Sequence, residues 1–153
     1  MSETLTVAAL YAERKARRDA ELDQLHQAEA AALKEQDAEH RAFLARAMTE
    51  ADAADIQHRI LRAFGRHERE VQILAFPSDY CPDSGRRINH ALPGWEDQLP
   101  GFAKALYAYW SQTLKPGGFG LQARIVSLRD GMPGDVGLFV TWPDEFSFDN
   151  GGV

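Results

Sequence analysis

All twelve glycines and all seven prolines of the chain fall after Phe64. A stretch of that length without either residue is under strong constraint. Glycine costs a helix interior about 1 kcal/mol and proline about 3 kcal/mol relative to alanine, and both are missing. Their places are taken by Ala, Glu, Gln, Leu, Lys and Arg, which lose least on becoming helical. The stretch therefore reads as helix, with Ser2 or Thr4 as its cap. Drawn as one straight rod it would extend roughly 90 Å at 1.5 Å per residue, too long to lie on a small domain. It must protrude, fold back or pair.

Large apolar side chains are sparse in its first two-thirds. Leu5, Val7, Leu10 and Tyr11 are followed by Leu22, Leu25 and Leu33, separated mostly by alanine and charge. Tyr11, Leu22, Leu33 and Leu44 recur every eleven residues, a spacing that winds a stripe slowly about a straight helix. A heptad reading fails, because it would put Glu29, Gln36 and Glu50 on the seam that runs from Leu22 through Phe43. So thin a stripe suits a loose helix pair, and self-association through Leu5–Leu44 is expected.

The pattern thickens from Phe43. Ile56, Ile60 and Phe64 repeat at i, i+4 and i+8, and Thr49 with Asp52 forms a capping pair that predicts a break near Thr49–Asp55. Gly65 is the expected helix stop. The chain thus divides into an extended helical arm, residues 1–42, and a compact unit, residues 43–153, whose first part is a packing helix, 43–64.

Beyond the helices the signals change. Glu70–Phe76 reads as a short strand closed by Pro77. Leu99–Leu114 is amphipathic, with Phe102, Leu106, Tyr109/Trp110 and Leu114 in one stripe. Gly120–Leu128 and Val136–Trp142 read as strands of a hairpin joined by turn formers at 129–135. The last strand is apolar on both faces, which favours a central position. The expected fold is α+β: the arm, then a β-α-β-β domain with a three-stranded antiparallel sheet covered by one amphipathic helix. Phe146 and Phe148 in the tail either dock on that core or fray.

Function is less legible. A net charge of −6 and a pI near 5.3 argue against sequence-independent nucleic-acid binding. The tight basic group Arg14, Lys15, Arg17 and Arg18 is flanked by Glu13, Asp19, Glu21 and Asp23, as on a solvated helix face. With one cysteine there is no internal disulfide. No apolar run approaches the ~20 residues of a membrane span, and the N-terminus lacks a signal-peptide layout, so no membrane partner and a cytoplasmic location are expected.

The chemistry-bearing residues gather between Phe76 and Trp95. Cys81 and Arg87 stand at the Cys-x5-Arg spacing that cysteine-dependent phosphatases use. That chemistry needs a thiolate, a cradle of backbone N–H groups and an Arg fork. Pro82 removes the first donor, Asp83 puts a negative charge where an anion should sit, and Gly85 comes one position late. His90 completes the set that an enzyme would use: Cys81, Arg87 and His90. A calcium loop from Asp79, Cys81 and Asp83 fails at its closing position, and zinc lacks a second ligand pair, so neither metal nor cofactor is expected. The alternative is a turn-rich connector whose Tyr80, Arg86, Arg87 and Trp95 form a contact surface. The favoured reading is a non-enzymatic assembly or adaptor protein, working through its arm and the 77–95 loop; the alternative is a small cysteine-dependent enzyme.

Overall fold

The structure, a computed structural model, describes residues 4–145. The expectation for Phe146 and Phe148 lies outside the described residues. The chain forms two compact units that meet in sequence at Ala42 and Phe43.

The first unit is helical. Helix α1 runs Val7–Ala45, 39 residues, and none of them is buried. Its cap is Thr6, whose Oγ1 accepts the Ala9 N–H at 3.0 Å, rather than the residues expected from the sequence. The arm's polar surface is laced by i,i+4 pairs, Arg17–Glu13 at 3.1 Å and Arg41–Asp37 at 2.6 Å. All four side chains are well exposed, so each pair adds a few tenths of a kcal/mol at most.

In the second unit, α2 spans Glu50–Gly65 and begins at the expected break. Thr49 Oγ1 accepts the Asp52 N–H at 3.1 Å while Asp52 Oδ2 accepts the Thr49 N–H at 3.1 Å, a complete capping box. The buried stripe of α2 is Ile56, Ile60 and Ala63; Phe64, placed on that stripe by its spacing, is 65% exposed. The helix also ends later than expected. Gly65 is its last residue, and the left-handed position is taken by His67, with φ of +64°. Around His67 the His67 N–H reaches Phe64 O and the Glu68 N–H reaches Ala63 O, both at 3.0 Å, the bonding pattern of a Schellman motif.

Strand β1 (Glu70–Pro77) leads into a loop containing α3 (Arg86–Asn89). Helix α4 (Gly101–Tyr109) continues through a π-helical turn, Trp110–Leu114, into a 3-10 turn, Lys115–Gly117. Then come β2 (Gly120–Ile125), the two-residue strands β3 (Leu128–Arg129) and β4 (Met132–Pro133), and β5 (Asp135–Thr141). The expected long hairpin is thus divided. The main sheet stops at Ile125, and β3 with β4 makes a separate small hairpin whose turn residues Asp130 and Gly131 both have positive φ, 51° and 80°.

The main sheet has the order β1-β5-β2, antiparallel throughout, with β5 in the centre as its two apolar faces predict. Cross-strand partners share a face. Val71, Leu74 and Phe76 stand opposite Val140, Leu138 and Val136, which in turn face Leu121, Ala123 and Ile125. A bulge between Gln72 and Leu74 breaks the simple alternation, so Leu74, not Ile73, is in register with Leu138. Val136, Leu138 and Val140 are wholly buried under Phe102, Ala103 and Leu106 of α4, with Ile56 and Ile60 of α2 in the same cluster. Both the amphipathic helix expected to cover the sheet and the packing helix expected before it thus contribute to the core.

Candidate functional site

The 77–95 loop is fastened from several sides. Ser78 is buried; its N–H donates to Gly134 O at 2.8 Å and its hydroxyl to Pro133 O at 3.0 Å, tying the loop to the end of β4. Cys81 and Ile88 both enter the apolar core. Asp83 organises the stretch between them: Oδ1 accepts the Gly85 N–H at 3.0 Å and Oδ2 the Arg87 N–H at 2.9 Å. Gly85 has φ of +80°, and a Cβ there would meet the Ser78 Cβ at 3.1 Å, so conformation and space both call for glycine.

This geometry bears directly on thiol chemistry. Cys81 is only 3% exposed. Burial, and then the charge of Asp83, push its pKa up to about 11, so the group is a thiol at neutral pH and a poor nucleophile. The N–H groups of Gly85 and Arg87, which an oxyanion would need, already hold the loop's own carboxylate. Arg87 directs its guanidinium to Pro93 O at 2.8 Å. Arg87 and His90 are exposed while Cys81 is in the core. Arg86 is exposed as well. Tyr80 and Trp95 are half-buried: the Tyr80 ring packs 5.2 Å from Phe43 and Trp95 stands edge-on to Tyr107 at 6.1 Å. The outward surface of the loop thus carries Arg86 and Arg87, with exposed Asp79 and His90 in the same stretch. Among the described residues no three His, Cys, Asp or Glu side chains gather as metal ligands, and no helix is long and apolar enough to cross a membrane.

The arm is the other expected surface. Leu10, Tyr11, Leu22, Leu25 and Leu33 are 51%, 61%, 47%, 56% and 66% exposed. Arg14 lies over the Tyr11 ring at 5.2 Å from its centroid. The remaining residues are mainly alanine and charge.

A surface that sequence reasoning missed lies on the second unit. A cleft of about 370 Å³ is lined by Ile60, Leu61 and Phe64 of α2, by Phe119, and by Trp142 and Pro143 after β5. Trp142 stands between Phe64 and Phe119, 6.4 Å from each ring. Its indole N–H donates to Glu68 O at 3.0 Å, which fixes the ring. The signal for this cleft lay in Leu61 and Phe64, two large apolar residues three apart on a helix whose other apolar stripe is complete without them. The open face of the sheet is polar by contrast. There Arg124 pairs with Glu70 and stacks 3.8 Å above Phe139, with Gln72 and Gln122 alongside. Compared with models of known protein families, with curated proteins and with solved structures, the chain matches none of them.

Proposed function

We propose that this is a non-enzymatic assembly or adaptor protein that works through protein–protein contacts of its helical arm, with the 77–95 loop as a second contact surface. The observation that carries this reading is the arm itself. It is a 39-residue helix with no buried residue, and its leucines stand in water. Isolated helices in water draw little stability from propensity alone, and in proteins most of it comes from packing an apolar face. A helix that keeps its leucines uncovered gains by pairing with another copy or with a helix of a partner. The loop supports the same reading, since its thiol is held protonated and its backbone donors are already occupied.

Light scattering on the full chain and on a chain beginning at Phe43 tests the proposal. The full chain should scatter as an oligomer and the shorter chain as a monomer. Monomers in both cases would remove the support for assembly through the arm.

A further inference from the structure

We propose that the arm's partner is a second copy of the arm lying antiparallel, with Leu22 of each copy against Leu33 of the other; this rests on the assembly reading above. Steps of three, four and seven residues stay on one side of a helix. Lys15, Arg18, Leu22, Glu29, Leu33 and Asp37 are related by such steps and share one face of α1. Leu22 and Leu33 are its exposed apolar points, 47% and 66% accessible.

Charge decides the direction. Arg14, Lys15, Arg17 and Arg18 put four cations within five residues, whereas Asp19–Glu39 holds seven acids against Lys34. A parallel pair would set Arg18 against Arg18, Glu29 against Glu29 and Asp37 against Asp37, all like charges. Turning one copy round, with the crossing point between Gln27 and Ala28, brings Leu22 to Leu33, Arg18 to Asp37 and His26 to Glu29. The basic start of each arm then meets the acidic later part of its partner. Asp37 already bonds Arg41 within the helix, but that pair is 62% and 71% exposed and exchanges at little cost.

The experiment uses the full chain with a spin label on Ala16→Cys, a position on the flank of that face, and with buried Cys81 left in place. In the antiparallel pair the two labels are separated by about 35 Å along the helices at 1.5 Å per residue. In a parallel pair they would lie within about 20 Å, given helix axes 8–10 Å apart. Arg18→Glu alone, and Asp37→Arg alone, should each weaken dimerisation about tenfold, and the two together should restore it. A dimer with the short distance, or one that the double reversal does not rescue, overturns the antiparallel arrangement and leaves the assembly reading standing. A full chain that stays monomeric at every concentration overturns both.

Discussion

Cys81 shows how far one side chain's surroundings can set its chemistry. The ordinary thiol value near 9 rises to about 11 here, so folding holds the proton more tightly than the unfolded chain does. The contribution to stability is therefore complete below pH 9 and is lost as pH climbs from 9 through 11, by roughly 2 kcal/mol or less. Melting curves of the native chain and of Cys81→Ala across that range should converge in slope only below pH 9; equal slopes throughout would mean the thiol is open to solvent. The reagent reactivity of Cys81 in the folded protein should be slow for the same reason. Leu106 is 1% exposed in the middle of the core, while Ala108, two residues on, faces solvent. Leu106→Ala should cost about 2–5 kcal/mol and Ala108→Ser well under 1 kcal/mol, read by denaturant melts.

At the scale of elements, the helix ends carry the sharpest contrast. Gly65 reads from the sequence as the stop of α2; it is the last helical residue, but the left-handed turn comes only at His67, and a Cβ at Gly65 meets nothing within 4 Å. Gly65→Ala should therefore stabilise the protein by up to about 0.5–1 kcal/mol, since alanine takes a helical backbone at lower entropic cost than glycine. A loss of stability would show that Gly65 is the true terminator. The left-handed residue is His67, where the side chain gives up about 1–2 kcal/mol of conformational preference. His67→Gly should recover part of that in the same melts. At the other end of α2, the capping box places Asp52 under two hydrogen bonds from Thr49 and beside Arg46, and its pKa falls below 3.8. That support is present above pH 3.8 and is lost as pH falls through the lower, folded value. Thr49 and Asp52 announced the cap in the sequence because both partners lie within one turn. His67 did not, because a non-glycine residue at positive φ leaves no compositional mark.

For the whole molecule, every member of the buried core lies in the second unit. A chain beginning at Phe43 should therefore melt cooperatively within a few degrees of the full protein, followed by near-UV circular dichroism. The helix signal of the arm should behave differently, falling on dilution of the full chain as paired arms separate. An arm whose helicity ignores concentration would speak against pairing.

The sequence by itself determined what depends on neighbours along the chain. The distribution of glycine and proline gave a long helix broken near Thr49, the turn formers gave the strands, and the doubly apolar Val136–Val140 run gave the central strand. Propensity, capping and periodicity act over a few residues, so a linear reading reaches them. Tertiary structure alone decided which of two apolar faces is buried. Phe64 has the right spacing for the core, yet the buried stripe of α2 is Ile56, Ile60 and Ala63 and Phe64 is mostly exposed. The bulge at Ile73 and the cleft joining Phe64, Phe119 and Trp142 arise from contacts between residues far apart in the chain. The fate of Cys81 belongs here too: its spacing to Arg87 is written in the sequence, but its protonation is set by the core that closes over it.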